Sequence, residues 1–153
     1  MQNQTDQIKH VSDIIKVMNG GIEFYQEAKS KLDNSTYQAF FNRMIVAKKE
    51  AVADLQKFAV EEQGELENES SSLVKARQVY TKLLSKVSGD STAFTYIDQL
   101  EEVEDKVLEE LDLALERHQA QDCEIALRRI KVSMKECHDE MKALQKMAAQ
   151  HSS

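Results

Sequence analysis

The sequence predicts an all-α domain of four long amphipathic helices, and three observations carry that expectation. Proline is absent and glycine occurs only 4 times in 153 residues, so little in the chain breaks a helix. Apolar residues recur at alternating three- and four-residue steps over long stretches, the spacing that places them on one helical face. Turn-forming clusters fall at a few places only, and a length near 150 residues predicts a single domain over 1–153.

The first helix is predicted over about 6–32, where Ile8, Val11, Ile15, Met18, Ile22, Tyr25 and Leu32 keep the step until Asp33-Asn34-Ser35 interrupts it. Ser35 with Gln38 makes a capping box for a second helix over about 36–62, striped by Tyr37, Phe40, Phe41, Met44, Ala51, Val52, Leu55, Phe58 and Ala59. Gly64 stands where a C′ glycine ends a helix, and the acidic, serine-rich run from Glu65 to Ser72 reads as an exposed connection. Leu73, Ala76, Tyr80, Leu83 and Val87 predict a short crossover helix over about 73–87, closed at Gly89 and lying across the outside of the bundle. Asp90 or Ser91 then caps a helix over about 91–118, with Phe94, Ile97, Leu100, Val107, Leu108, Leu111 and Leu115 on one face. Asp122 opens the last, about 122–149, along Cys123, Leu127, Ile130, Met134, Cys137, Met141, Leu144 and Ala148, with Gln150 to Ser153 frayed.

Loop lengths set the wiring. Short links make the first and last helix pairs antiparallel neighbours, while about 28 residues separate the second long helix from the third, the single long connection of the ferritin-like arrangement. Helices of about 27 residues, roughly 40 Å long, bury a sizeable core without metal or disulfides. Cys123 and Cys137, fourteen residues apart on one helix, stand roughly 21 Å apart, too far for a bridge. They are either reduced core thiols, the expected case, or intermolecular partners.

Composition excludes several roles. Twenty basic against 27 acidic residues leave −7, with no basic stripe, so no nucleic acid partner is expected. Met1 to Lys9 holds no apolar signal segment and no long apolar run follows, which predicts no membrane association and a cytoplasmic location. Phosphate-cradling glycine loops, Gly-x-Ser-x-Gly and His-Glu-x-x-His are absent. His10, His118 and His151 sit near predicted helix ends as structural or solvated side chains, the acidic run from Glu61 to Glu69 reads as solvated, and the methionines fall on core faces.

Three charged or polar residues fall inside apolar stripes, where a lone charge costs several kcal/mol. Lys48 lies between Met44 and Leu55, Glu104 between Leu100 and Leu111, and His138 beside Met134, Cys137 and Met141, all near mid-helix. Glu101, one turn before Glu104, lies at the stripe edge, and Gly20-Gly21 at the same level of the first helix signals close packing or a kink. One reading is a metal site for Fe, Mn or Zn on Glu101, Glu104 and His138, with Glu23 or Glu27 joining if the first helix is rotated. The other is a buried polar layer of Lys48, Glu104 and His138, in which the lysine takes the place of metal charge and sets register. Neither Glu-x-x-His pair of a full di-metal site is present: Lys135 precedes His138 by three, and Glu50 is followed by Ala53.

These residues resemble a family of small bacterial ferritin-like four-helix bundles labelled as a domain of unknown function. The resemblance spans nearly the whole chain. It rests on Gly20-Gly21-Ile22-Glu23-Phe24-Tyr25 with Ala28, on Ala53-Asp54-Leu55-Gln56, on Glu101-x-x-Glu104-Asp105 with Ala114-Leu115, on His138-Asp139 with Ala143-Leu144, and on the outer crossover helix. It implies the ferritin-like fold and a metal centre to which Glu104 and His138 carry over, without an established activity. Relatives carry Asp-Gly-Glu at Gly20-Gly21-Ile22 and a ligand-capable residue near Lys48, so both departures here remove a ligand.

Two functions follow as expectations. The first is a non-enzymatic, stress- or assembly-associated bundle with a degenerate metal site, no cofactor, and a protein partner or homo-oligomeric state. The second is an Fe- or Mn-binding protein or oxidoreductase using the mid-bundle Glu/His cluster.

Overall fold

The computed structural model describes residues 7–88 and 92–152, all in helices or their connections. Gly89, Asp90 and Ser91, expected to end one helix and cap the next, lie outside the described residues, as do Met1 to Asp6, Ser153 and the side chains of Val87, Ser88, His151 and Ser152. Five helices run in order: α1 Val11–Lys31, α2 Ser35–Gln63, α3 Ser72–Ser88, α4 Thr92–Leu115 and α5 Gln121–Ser152. Among the described residues there is no strand, and no helix is long and apolar enough to cross a membrane.

The four long helices close a ring: α1 packs on α2, α2 on α5, α5 on α4 and α4 on α1, while α3 lies against α1 and α4. The core they enclose takes in most of the striped residues, with Ile22, Phe40, Phe94 and Leu108 among those only partly buried, and adds Ile14, Phe24, Tyr96 and Val103. On α5 every striped position from Cys123 to Ala148 is buried. On α1 the stripe is turned slightly, so Phe24 is fully buried and packs edge-on against Tyr96 at 6.1 Å, whereas Ile22 is half-buried.

Helix ends depart from the expected bounds for identifiable reasons. α1 begins at Val11 rather than near residue 6 because His10 takes a left-handed backbone, φ 69°, which a helix cannot continue. Its cap comes from far away in sequence. The Glu62 carboxylate, at the end of α2, accepts from the backbone N–H of His10 (3.1 Å), Val11 (3.0 Å) and Ser12 (2.9 Å), filling donors that a helix start leaves open. Residues before it are strapped to the α4–α5 connection, where Gln119 pairs with the Lys9 backbone in both directions. His10 itself is half-buried, its ring between Asp13 and Glu110. Replacing Glu62 with alanine should lower stability by about 1–2 kcal/mol, read as a shift in the denaturation midpoint, whereas alanine at exposed Glu61 should not move it.

At the other end of α1, Asn34 rather than Ser35 caps α2, its side chain accepting from Tyr37 N–H at 3.0 Å. Gln38, expected to complete a capping box, instead donates to the Lys29 and Leu32 carbonyls that α1 leaves open. Gly64 ends α2 in the left-handed region at φ 89°, as its position indicated. α4 stops at Leu115, short of His118, and α5 continues through Gln150 to Ser152 instead of fraying.

The acidic connection is not simply solvated. Glu67 is buried, with its backbone held from both sides by the Gln56 amide at 2.8 and 2.9 Å, and Ser71 N–H donates to the Lys16 carbonyl at 2.9 Å. These bonds press the start of α3 onto α1, where Gly20 gives it room. A Cβ there would sit 2.9 Å from Val74 Cβ.

α3 is turned the other way from its apolar pattern. Val74 and Thr81 face the bundle, whereas Leu73, Val79, Tyr80 and Leu83 are each more than half exposed. Periodicity identifies which residues share a face; it carries no information about which way that face points.

Both thiols are free and buried, and burial pushes Cys123 up to about 12 and Cys137 to about 11. The nucleophile is the thiolate. Folded protein should therefore leave a thiol-specific disulfide reagent unconsumed at neutral pH, with two equivalents consumed once denaturant is added.

Candidate metal centre and the buried layer beside it

At mid-bundle Lys48, projecting from the apolar face of α2, meets Glu104 from α4, both with no exposed surface. Lys48 Nζ lies 2.5 Å from Glu104 Oε2. The third member comes from α1: the Tyr25 hydroxyl donates to the same Oε2, and its ring lies 5.3 Å from the ammonium. Burial first, then the Glu104 carboxylate, holds the Tyr25 hydroxyl well above its ordinary pKa, so it stays a donor. Gly21 lies beside the lysine stem. A Cβ at that position would come within 3.5 Å of Lys48 Cε and 3.3 Å of Val103 Cγ1. Glu104 Oε1 is buried and makes no hydrogen bond among the described residues.

His138 is not in that layer. Its ring turns to the seam between α4 and α5, where Nε2 lies 2.6 Å from Asp105 Oδ1 and 3.6 Å from Glu101 Oε1, while Nδ1 lies 3.2 Å from Asp139 Oδ1. One ligand atom each from Glu101, Asp105 and His138 fall within 4.8 Å of one another. Glu101 and Asp105 are one helical turn apart on α4 and so share a face, while Glu104 between them points to the bundle centre. The expected trio of Glu101, Glu104 and His138 is thus divided into two neighbouring sites.

The charges around the seam are unequal in burial. Glu101 is 3% exposed, and burial, followed by the nearby Asp105 charge, raises its carboxyl above the ordinary value, with Lys142 and His138 opposing. Its Oε1 has no hydrogen-bond partner among the described residues; His138 and Lys142 stand at 3.6 and 3.8 Å, beyond hydrogen-bonding distance. Asp139 is fully exposed, and hydrogen bonds from Lys135 and His138 hold it below the ordinary range. Both ring nitrogens of His138 therefore face carboxylates. The doubly protonated ring fills that arrangement with two donors. A neutral ring fills it differently, with Nδ1–H donated to Asp139 and Nε2 presented to a cation, the outer carboxylate orienting the ligand.

Glu23 and Glu27 take no part in either site. Glu23 accepts from Ser70, and Glu27 from Tyr96 and Gln78. Glu50 is exposed, as its register indicated. The residues that the sequence did not single out are Tyr25, Asp105 and Asp139. For Asp105 a signal existed, since it follows Glu101 at i+4 on the same helix face; for the Tyr25 hydroxyl none did.

A family model described as a domain of unknown function (DUF2383) matches residues 6–117, which takes in α1 to α4 and stops before α5 and His138. No curated protein and no solved structure matches the chain.

Proposed function

Because the chain belongs to the family described as a domain of unknown function (DUF2383), its role has to be read from its own residues, and we propose a single-domain, ferritin-like four-helix bundle with no catalytic centre in its core. On this reading it works by association, with itself or with a protein partner, in a stress or assembly role. The ring of four helices with α3 placed outside it supports the ferritin-like wiring, α3 being the crossover element. One observation carries the functional part: a fully buried ammonium lies 2.5 Å from Glu104 Oε2 at the bundle centre. A cation built into the chain occupies the level at which carboxylate bundles bind metal, and Tyr25 takes up further acceptor capacity of the same oxygen.

A second reading is favoured by a separate observation. Glu101 Oε1 is buried, accepts no hydrogen bond among the described residues and lies beside Asp105 and His138, with only the longer approaches of Lys142 and His138 to offset it, the condition of a ligand that a cation would complete. Two carboxylates and an imidazole suit Fe or Mn, and Asp139 supplies the outer hydrogen bond to the ring. Bound metal would bring Lewis-acid or redox chemistry to a partly exposed seam.

One experiment separates the two. Protein purified without chelator is incubated with Fe(II) or Mn(II), desalted and analysed for metal, alongside Glu104→Gln, Glu101→Gln and His138→Ala. The first reading expects no equivalent that depends on Glu104. Metal lost in Glu104→Gln would overturn it, while about one equivalent lost only in His138→Ala and Glu101→Gln would establish the seam site.

A further inference from the structure

α3 carries four cations and no carboxylate in a chain whose net charge is −7. Its outward surface joins two sectors. Leu73, Val79, Tyr80 and Leu83 form an apolar band with exposures of 53–60%, and exposed Lys75, Lys82 and Lys86 border it without an ion pair among the described residues. Elsewhere, among the described residues, Lys16, Arg43, Lys48, Lys106, Arg128, Lys131, Lys135 and Lys142 each reach a carboxylate, half of the cations outside α3. Packing a helix by its polar side while presenting its apolar side is unfavourable for an isolated molecule, because apolar area stays in water.

The complementary surface is on the opposite side of the ring. α3 covers the α1/α4 edge, and the α2/α5 edge across from it holds two open grooves of about 400 and 390 Å³. Val46 and Ile125, each more than half exposed, line them with Glu50, Asp54, Asp122 and Glu136. Five carboxylates against three basic side chains line the two grooves, and one of those bases, Arg43, is tied to Glu140. Along α2 the grooved stretch from Asn42 to Lys57 is roughly 22 Å long, against roughly 25 Å for the 17 residues of α3.

From this pairing we infer that α3 of one copy docks along the α2/α5 seam of a second copy, apolar band on apolar groove and lysines on carboxylates. The inference rests on the reading that the protein works by association and specifies its contact. Two α3 helices facing each other are disfavoured, since no carboxylate on either would meet the lysines. Because the two surfaces lie on opposite faces, the contact is head-to-tail, and each added copy leaves one surface free for the next.

The test is sedimentation velocity of the full chain over a rising concentration series. Species larger than a dimer should appear with concentration and diminish at high salt. Leu83→Glu on α3, or Glu50→Lys with Glu136→Lys on the seam, should each abolish growth; all three positions are exposed, so melting curves should be unchanged. An equimolar mixture of the α3 variant and the seam variant should form dimers and nothing larger, since each pair keeps one intact contact. A monomer at every concentration overturns the inference, as does assembly indifferent to these substitutions. Binding of the monomer to phosphatidylglycerol vesicles, lost in Leu83→Glu, would assign α3 to an anionic lipid surface instead and also overturn it. Metal bound through Glu104 would defeat the reading of the core while leaving the assembly result standing, so the two failures are distinguishable.

Discussion

Replacing Lys48 with alanine should destabilise the protein by about 3–5 kcal/mol, the cost of stranding one partner of a buried ion pair. Glu104 would be left with no exposed surface, no ammonium and a single donor, the Tyr25 hydroxyl, while its Oε1 already lacks a partner. The loss is not the worth of the pair. Changing Lys48→Met and Glu104→Leu together should recover most of it, because apolar side chains of similar volume neither need solvation nor leave a charge behind. What the double variant leaves is the Tyr25 hydroxyl without an acceptor, about 1–3 kcal/mol, and Tyr25→Phe added to it should remove that as well. Denaturant midpoints for the single, double and triple variants test this non-additivity. An unchanged midpoint in Lys48→Ala would show that the ion pair has no structural role, and with it the cation-filled core would fail.

The layer was legible in part, and the division follows from what spacing encodes. Lys48 and Glu104 stood out because a charge inside an apolar stripe has no solvent to face, whatever the neighbouring helices do. Tyr25 did not, because an aromatic residue at core spacing conceals whether its hydroxyl is used. His138 reads as lying inside the stripe, beside Met134, Cys137 and Met141, but a small rotation of the helix decides between core and seam; the fold turns it to Asp105 and Asp139. The same limit governs α3. Its spacing predicts a helix outside the bundle without saying which face meets the ring; Val74, which is outside the stripe, sets that packing together with Gly20. Glu62 is a long-range cap, joining residues about fifty positions apart, and no local motif announces it.

The pair Gly20-Gly21 yields the second prediction, in which two adjacent glycines respond differently to the same change. Glycine inside a helix costs about 1 kcal/mol relative to alanine, so propensity alone expects Gly20→Ala and Gly21→Ala both to stabilise α1. At Gly21 the added methyl makes an ordinary contact with the Lys48 stem at 3.5 Å and meets Val103 Cγ1 at 3.3 Å, a side-chain atom that has to give by a few tenths of an ångström. Gain and cost should nearly cancel there. At Gly20 it meets Val74 Cβ and Cγ1, both at 2.9 Å. Cβ sits on the α3 backbone and a β-branched side chain has little rotamer freedom, so the helix itself has to move. Overpacking of this kind costs about 1–3 kcal/mol, enough to reverse the sign, and Gly20→Leu should go further and displace α3 from α1. Amide exchange is the discriminating measurement. In Gly20→Ala protection should fall across α3 while α2 and α5 keep theirs, and Val74→Ala, which removes Cγ1 but keeps Cβ, should restore it only in part. Fading protection across the whole ring would mean instead that α3 and the bundle are one cooperative unit. Protection unchanged everywhere would mean that α3 is held by the connection before it, through Ser71 and Glu67, and that Val74 is only filling space.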